Sequence, residues 1–272
     1  MKVSDSLKII DYVGAGSFGN VYIGIDHFNR MVAVKVEDLN SKHSKIEKEY
    51  KIYKHMKKYF IKEGLPQVYC LIKTPKYNIM LMELLGQSLE DLYEEQRELF
   101  EFNNILYIGY SILCMLECFH LGGYVHRDVK PSNFLLGINK PDIYMVDFGL
   151  SKKYIHSGIH INPSNDHSLV GTARYASIYL HNGLEPSRRD DLISLGYMLI
   201  FFVKQRLPWQ GVARNKDFLE HVGRIKESIS IEQLCYNIDP LFNKYLTYCY
   251  SLQFDQQPDY DYLKNLFQIK TL

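Results

Sequence analysis

One stretch near the N-terminus limits the possible folds more than any other, because it combines closely spaced glycines with the pattern of two strands. VGAGSFGNVYIG (residues 13–24) contains Gly-x-Gly-x-x-Gly, a spacing that two unrelated classes of nucleotide-binding protein use. In a dinucleotide-binding fold these glycines open a helix. Here branched apolar residues alternate at 21–25 and again at 32–36, on both sides of a polar turn at 26–30. This pattern predicts a β-hairpin and argues against the dinucleotide-binding fold.

The composition is that of a folded chain without a strong net charge. The 272 residues, 46% of them hydrophobic, suffice for one large domain or for two lobes with separate cores. The formal charge of +1 gives no general reason to expect a nucleic-acid or membrane partner. The five cysteines form no Cys-x-x-Cys pair and there is no signal peptide, which is typical of reduced cysteines in an intracellular protein. We therefore expect a monomer in the cytoplasm, the nucleus or both.

No apolar segment reaches the ~18 residues that a membrane span requires. The nearest approach, LISLGYMLIFFV (residues 192–203), is shorter and lies between the charged segments SRRDD and KQR. A helix of this length that is apolar on all sides is typical of a protein core.

The two halves of the sequence differ in their periodicity. Residues 1 to about 82 alternate as strands do, apart from one lysine-rich helix, and residues from about 88 onward are mainly helical. A long amphipathic helix is predicted from Asn103 to the stop signal at Gly122 and Gly123. The sequence therefore predicts an α+β fold in a single domain of residues 1–272. It has a small β-rich lobe, a hinge at about 83–87 and a larger helical lobe.

The lysine-rich helix carries a carboxylate on its apolar face. In SKIEKEYKIYKHMKKYF, four apolar residues recur at helical spacing: Ile46, Tyr53, Met56 and Phe60. Glu49 falls on the same face, where an unpaired charge would be very costly. The best candidate for its partner is Lys35, at the end of the second hairpin strand. Helical phase alone leaves a second interpretation equally open, in which Glu49 lies in solvent at the edge of the stripe.

Two segments in the second half contain further polar side chains that suit a reaction site. YVHRDVKPSNFLLG places Asp128, Lys130 and Asn133 in one loop, and MVDFGLS supplies Asp147 after the next strand. Each could be ordinary turn chemistry by itself. Together, and in this order after the glycine loop and the Lys–Glu pair, they match the signature set of protein kinases. The chain therefore resembles that superfamily, and the glycine loop is expected to cover ATP.

Finer details, over nearly the whole chain, resemble the casein kinase 1 family of Ser/Thr protein kinases. The matching segments are MELLGQSLEDL, HRDVKPSNFLLG, DFGLSKKY, GTARYAS, SRRDDLISLGYMLIFF, LPWQG and PDYDYLKNLF. The strongest discriminator is GTARYASIYLH, where most protein kinases carry Ala-Pro-Glu. The resemblance implies a two-lobed protein-kinase fold. It also implies transfer of the γ-phosphate of ATP to serine or threonine hydroxyls of protein substrates, with Mg²⁺ as the metal ion.

The same resemblance implies a nucleotide site. Glycines let the backbone approach the phosphates without Cβ clashes, and backbone groups after the first lobe read the edge of adenine. Lys35 contacts the α and β phosphates and is held by Glu49. The residues implied to contact ATP are Val13, Gly14, Ala15, Gly16, Ser17, Phe18, Gly19, Asn20, Val21, Ala33, Lys35, Met82, Glu83, Leu85 and Leu135.

The remaining roles also follow from the resemblance. Asp128 orients the substrate hydroxyl and accepts its proton, and Lys130 steadies the γ-phosphate. Asn133 and Asp147 supply the hard oxygen ligands that Mg²⁺ prefers. Asp191 holds the backbone of the catalytic loop, a structural role. The rival hypothesis is a pseudokinase, a kinase-shaped binding module that usually lacks one of the Lys, Asp and Asn residues, all of which are present here.

The resemblance also implies a preference for substrates with a phosphorylated or acidic residue three positions before the target. Arg174 and Gly211 match two parts of the site that binds this anion. The third part, a lysine, falls near Glu220 or His221, so neither placement supplies a permanent cation. A guanidinium can bind phosphate by itself with two hydrogen bonds, which predicts a weaker gain from priming than is usual in the family. The alternative is that another cation reaches the site, either Lys216 or Arg214.

Overall fold

The chain forms two compact units. The computed structural model describes residues 2–4, 7–16, 19–39, 45–60, 64–138 and 140–268. The first unit contains Met1–Ser88 and Phe134–Gly149, and the second contains Leu89–Asn133 and Leu150–Leu272. A boundary near residue 88 is therefore present, but the sequence analysis placed all later residues in the helical lobe. The structure instead assigns Phe134–Gly149 to the first unit.

Main-chain hydrogen bonds explain why this later segment belongs to the first unit. The Gly86 N–H donates to the Leu136 carbonyl at 2.7 Å, and the Leu136 N–H donates to the Gln87 carbonyl at 2.9 Å. The Met145 N–H donates to the Gly64 carbonyl at 2.9 Å. These pairings join residues that are far apart in sequence, which is why periodicity could not predict them.

Within the described ranges the chain forms twelve strands and nine α-helices. The strands are β1 (Lys2–Ser4), β2 (Leu7–Gly16), β3 (Gly19–Asp26), β4 (Met31–Asp38), β5 (Val68–Lys73), β6 (Tyr77–Glu83), β7 (Tyr124–Val125), β8 (Phe134–Gly137), β9 (Lys140–Met145), β10 (Lys152–Lys153), β11 (Ile155–His156) and β12 (Ile159–His160). The helices are α1 (Lys45–Met56), α2 (Leu89–Glu95), α3 (Phe102–Leu121), α4 (Ile178–His181), α5 (Arg188–Lys204), α6 (Phe218–Ser228), α7 (Ile231–Leu234), α8 (Pro240–Ser251) and α9 (Tyr260–Leu266).

The first unit is built on an antiparallel sheet with the order β1-β2-β3-β4-β6-β5. The predicted hairpin is confirmed, because β3 and β4 pair antiparallel on either side of the polar turn. In this turn the Asp26 carboxylate accepts the backbone N–H groups of Phe28 and Arg30, each at 2.9 Å. Aspartate favours such turns because its short side chain reaches its own nearby backbone. The core of the sheet consists of Leu7, Val32, Val34, Val36, Ile79 and Leu81.

The second unit is organised around α3 and α5. α3 begins at Phe102, one residue before the predicted start, and it ends before Gly122 and Gly123, as expected. A Cβ at Gly109 would lie 3.0 Å from the side chains of Leu199 in α5 and Phe267, so glycine lets these elements approach closely. α5 follows Ser187, whose N–H donates to the Asp190 carboxylate at 2.7 Å. This contact satisfies one of the free donors at the helix start.

α3 corrects an expectation about apolar segments. Its 20 residues are long and apolar enough by composition to span a membrane, whereas the sequence analysis found the nearest approach at residues 192–203. Scattered polar residues interrupt the apolar run in α3, which is why a search for uninterrupted runs missed it. Within the protein, 56% of its apolar window is buried, as is usual for a core helix.

Candidate active site

The glycine-rich segment is the hairpin between β2 and β3. Facing residues form three antiparallel pairs, Gly14 with Val21, Ala15 with Asn20, and Gly16 with Gly19. Ser17 and Phe18, which the resemblance assigns to phosphate contact, lie outside the described residues. The glycines lead into strand β3 and not into a helix, so a helix-opening dinucleotide loop is excluded, as the sequence predicted.

Replacing Gly19 by alanine should destabilise the first unit, because a Cβ there would lie 2.3 Å from the carbonyl oxygen of Val36. The clash falls on backbone, so β3 or β4 would have to move. We expect a loss of about 1–3 kcal/mol in the free energy of unfolding, the usual cost of overpacking. Gly14→Ala is the matched control, since its Cβ would have no heavy atom within 4 Å. Denaturant unfolding measures both, and equal losses would contradict the steric argument.

The side chains assigned to adenine contact lie in the first unit. β4 and β6 pair so that Ala33 faces Met82, which is buried at 8% exposure. Leu135 in β8 forms an isolated β-bridge with Ser88, which brings this strand next to the segment that follows β6. Val13 is 58% exposed, so contact with a ligand would bury apolar area there.

Two residues assigned to ATP contact lie at the end of β6 and just beyond it, Glu83 and Leu85, and their backbone groups have different hydrogen-bonding roles. The Glu83 N–H donates to the Gln67 carbonyl at 2.8 Å, so any contact of Glu83 with adenine goes through its carbonyl oxygen. Leu85 lies two residues further on, where β6 has ended and the backbone has left the sheet. The carbonyl oxygen of Glu83 would accept a hydrogen bond from the amino group of adenine, and the N–H of Leu85 would donate one to the ring nitrogen at the same edge.

Lys35 in β4 joins two carboxylates within the first unit. Its Nζ lies 3.0 and 2.8 Å from the two carboxylate oxygens of Glu49, and 3.0 Å from Oδ1 of Asp147. Glu49 is only 1% exposed, so the interpretation that placed it in solvent is wrong and the expected ion pair is present. Burial lowers the pKa of Lys35, but the two carboxylates outweigh burial and raise its pKa above the ordinary value. Lys35 is therefore an ammonium group at neutral pH.

Tyr53 holds the start of the DFGLS segment. Asp147 has a φ of +64°, in the left-handed region that only a few non-glycine residues adopt. Its backbone N–H donates to the Tyr53 hydroxyl at 3.2 Å, and the rings of Tyr53 and Phe148 lie 4.4 Å apart. The sequence analysis placed Tyr53 on the inward face of α1 but assigned it no role, because periodicity shows burial and not the partner.

Asp128 in the second unit is surrounded by donors. The Thr172 hydroxyl donates to Oδ1 at 2.8 Å, and the Lys130 ammonium lies 2.8 Å from Oδ2. The amide nitrogen of Asn133 donates to the Asp128 carbonyl at 2.8 Å, which leaves the amide oxygen as the atom suited to a cation. The three residues predicted for the catalytic loop thus lie together. Thr172 was not assigned a role, and its only signal is its position in GTARYAS.

Asp191 fixes the backbone of this loop, as expected. Its Oδ2 accepts the His126 N–H at 2.7 Å, and its Oδ1 accepts the Arg127 N–H at 2.8 Å. The ring of His120 lies 2.9 Å from Oδ2 and adds a third contact that the sequence did not reveal. Burial alone would raise the pKa of Asp191, but the hydrogen bonds from His120 and the loop outweigh it and lower that pKa. These bonds hold Arg127 at a φ of +70°.

A cavity of about 370 Å³ in the second unit contains both residues assigned to substrate anion binding. Arg174 and Gly211 line it, together with Lys130 and Arg214. Gly211 has a φ of +87°, a conformation that glycine adopts without strain. Of the candidates for the missing cation, Arg214 lines the cavity. The others are not among its lining residues: Lys216, Glu220 and His221.

Comparison with protein-family models agrees with the two groups of residues described above, the ion pairs of Lys35 in the first unit and the loop of Asp128 in the second. Residues 7–258 match the protein kinase domain, and the match spans most of the 272-residue chain. The chain belongs to the protein kinase family, and its fold is the α+β kinase fold with an N-terminal antiparallel sheet and a helical C-terminal region. Membership implies phosphoryl transfer from ATP to protein substrates, usually with Mg²⁺. The carboxylate of Asp147 and the amide oxygen of Asn133 are the hard oxygen donors that fit this ion.

Proposed function

We propose that the protein is a Ser/Thr protein kinase of casein kinase 1 type that phosphorylates acidic or pre-phosphorylated proteins. The observation that carries the proposal is a cavity that contains Gly211 and is lined by three cationic side chains, Arg174, Arg214 and Lys130, against a single carboxylate among the described residues, Glu90. If an anionic group of the substrate binds at Arg174, a serine or threonine hydroxyl near that group in the substrate would lie at the second unit, which also contains Asp128. We further propose that the protein acts as an intracellular monomer.

The chain's own residues suffice for the acid–base and electrostatic parts of phosphoryl transfer. As the substrate hydroxyl oxygen forms its bond to the γ-phosphorus and the bond to ADP breaks, the Asp128 carboxylate accepts the hydroxyl proton. The Lys130 ammonium, 2.8 Å from Asp128, would stabilise the γ-phosphate charge. Lys35 would neutralise the α and β phosphates. Asp147 and Asn133 would hold Mg²⁺, which would supply additional charge neutralisation.

The pseudokinase hypothesis is disfavoured by intact residues. Such modules usually lack one of the residues equivalent to Lys35, Asp128 and Asn133, and here all three are present. Lys35 pairs with Glu49 as expected, and Asp128 and Asn133 are joined by hydrogen bonds within the second unit. The decisive experiment is incorporation of the γ-phosphate of ATP into casein, with EDTA as the control and phosphoamino-acid analysis of the product. We expect Mg²⁺-dependent phosphoserine and phosphothreonine. ATP binding without any labelling would favour the pseudokinase, and phosphotyrosine would contradict the Ser/Thr assignment.

Arg214 should provide part of the preference for a primed substrate. The expectation of a weak gain from priming rested on the absence of a third cationic residue, and the proposal gives that role to Arg214 because it lines the cavity. We expect Arg214→Ala to lower the ratio of kcat/KM for peptides with phosphoserine and with alanine three residues before the target. The reduction should be ~3–5-fold, because an exposed ionic contact is worth up to about 1 kcal/mol.

Lys216→Ala is the matched control for this measurement, because Lys216 lies two residues away and does not line the cavity. It should leave the ratio within twofold of wild type. If the ratio is unchanged in Arg214→Ala but falls in Lys216→Ala, then Lys216 and not Arg214 is the additional cation. A large phosphoserine preference that survives Arg174→Ala would show that the anion binds elsewhere.

A further inference from the structure

One lysine of the second unit has its amino group buried against backbone carbonyls. Lys226 in α6 is 2% exposed, and its Nζ donates to the Ala173 carbonyl at 2.8 Å and to the Ala176 carbonyl. The rings of Trp209 and Tyr197 lie over it, with centroids 4.9 and 5.1 Å from Nζ. Among the described residues, no carboxylate forms an ion pair with Lys226. A buried lysine without a counter-ion is costly, which indicates a specific role for these two hydrogen bonds.

Burial lowers the pKa of Lys226 well below its ordinary value. The role described here does not depend on its charge, because the ammonium and the neutral amine both have the two N–H donors that the carbonyls need. A third neighbour, Nε2 of His181, lies 3.3 Å from Nζ. Both nitrogens of this ring also face carbonyl oxygens, Nδ1 that of Leu219 at 3.0 Å and Nε2 that of Ala173 at 3.4 Å, so the tautomer of His181 decides the direction of its contact with Lys226.

The carbonyls that Lys226 binds belong to a turn whose other backbone bonds are local. The N–H groups of Tyr175 and Ala176 both donate to the Thr172 carbonyl. The Arg174 carbonyl accepts the indole N–H of Trp209 at 2.7 Å. Two side chains from outside the turn, which pack against each other, therefore hold three of its carbonyls, those of Ala173, Arg174 and Ala176. Buried carbonyls need such donors, so loss of one side chain would release this backbone.

This turn carries two side chains that matter for the proposed reaction. At its start, the Thr172 hydroxyl donates to the Asp128 carboxylate at 2.8 Å. In its middle, Arg174 lines the anion cavity. The same face of α6 reaches that cavity, since Phe218 and Val222 line it and stand at four-residue intervals before Lys226. The helix that forms one wall of the cavity thus also supports the backbone behind Arg174.

We propose that Lys226 is a positioning residue that holds residues 172–176 so that Arg174 faces the substrate anion and Thr172 orients Asp128. The part that concerns the anion rests on the function proposed for the cavity. Lys226 contacts neither substrate nor ATP and acts only through the backbone of this turn. It is therefore a determinant of substrate specificity that lies outside the cavity it controls.

The test compares Lys226→Met, which keeps the length and apolar volume but removes the donors, with wild type. Steady-state kinetics with phosphoserine and alanine peptides give kcat and KM for each. We expect kcat/KM for the phosphoserine peptide to fall roughly tenfold or more, as the loss of two buried hydrogen bonds predicts. The phosphoserine-to-alanine ratio should fall toward one, while KM for ATP stays within twofold. Lys226→Gln, which restores N–H donors, should recover part of the ratio.

Two further variants separate this role from simple misfolding. Arg224→Met on the same helix is the control, because Arg224 is 72% exposed and forms a surface ion pair with Glu220. Trp209→Phe removes the indole donor to Arg174 and keeps a ring, so it should lower the same ratio even if Lys226→Met does not fold. Unchanged peptide kinetics in the folded Lys226 and Trp209 variants would overturn the proposal.

The wild-type measurements keep the two proposals distinguishable. If wild type shows no phosphoserine preference, the proposed function of the cavity fails. The positioning role is then tested by kcat with the alanine peptide, since Thr172 and Asp128 would still be displaced in the Lys226 variants. A wild-type preference that the Lys226 and Trp209 variants retain would leave the function intact and refute the positioning role alone.

Discussion

Replacing Asp128 by asparagine is expected to reduce phosphoryl transfer by ~10²–10⁴-fold, the usual contribution of a general base. The carboxylate accepts from the Thr172 hydroxyl and pairs with the Lys130 ammonium, both at 2.8 Å. An amide keeps the shape of the side chain, but its NH₂ group cannot accept the proton of the substrate. Binding of ATP should be unchanged, because Asp128 acts on the substrate hydroxyl, whereas the glycine-rich hairpin and the strand residues assigned to ATP lie in the first unit.

The measurement is kcat for casein together with the Kd for ATP from calorimetry. Asp261→Asn, which changes a carboxylate that is 88% exposed, is the control and should keep wild-type activity. Turnover within tenfold of wild type in the Asp128 variant would remove this residue from the role of base. Loss of ATP binding would show instead that Asp128 contributes to nucleotide binding.

Replacing Lys35 by methionine should abolish activity and also destabilise the first unit. Methionine is of similar length but leaves Glu49, which is 1% exposed, beside Asp147 without a cation. Breaking a buried ion pair in this way costs about 3–5 kcal/mol, unless Glu49 takes up a proton. The loss of the charge that neutralises the phosphates should lower kcat/KM by ~10²–10³-fold, as for other preorganised electrostatic donors.

A double substitution separates the two effects of Lys35. Adding Glu49→Gln to Lys35→Met removes the unpaired buried charge, so the free energy of unfolding should recover in part while activity stays lost. Denaturant unfolding and kcat/KM for casein measure the two quantities, and Lys57→Met, at an exposed lysine, is the control. An active Lys35→Met enzyme of wild-type stability would refute the importance of the ion pair.

The sequence left two points undecided: the burial of Glu49 and the cation at the cavity proposed to bind the substrate anion. Helical phase placed Glu49 on the apolar face but left open whether it was buried and paired or solvated at the edge of the stripe. Only the position of Lys35 in β4 shows that the carboxylate is buried and paired. Likewise, the sequence left Lys216 and Arg214 as equal candidates for the missing cation. The choice depends on the path of the chain between Gly211 and α6, where Arg214 lines the cavity.

Local sequence alone determined the hairpin of β3 and β4 and the helices α1, α3 and α5, and the motifs alone indicated the kinase family. A polar turn between alternating branched residues, or an apolar stripe with glycines at its end, depends on interactions within a few residues of the chain. Such interactions leave their period in the sequence. The roles of Asp128, Lys35 and Asn133 could be proposed from motifs because the spacing of these residues is itself the signal.

Only the tertiary structure decided which distant residues support that site. Lys226 and Tyr53 each bind a backbone group of a functional segment that lies far away in sequence, and His120 contacts the Asp191 carboxylate that holds the catalytic loop. Nothing near Lys226 marks it, since a lysine in a polar helix is expected in solvent. Its burial follows from the packing of α6 against the turn at residues 172–176. The physical reason is that a backbone carbonyl can accept from any donor that the fold brings within reach, so such partners leave no local pattern to read.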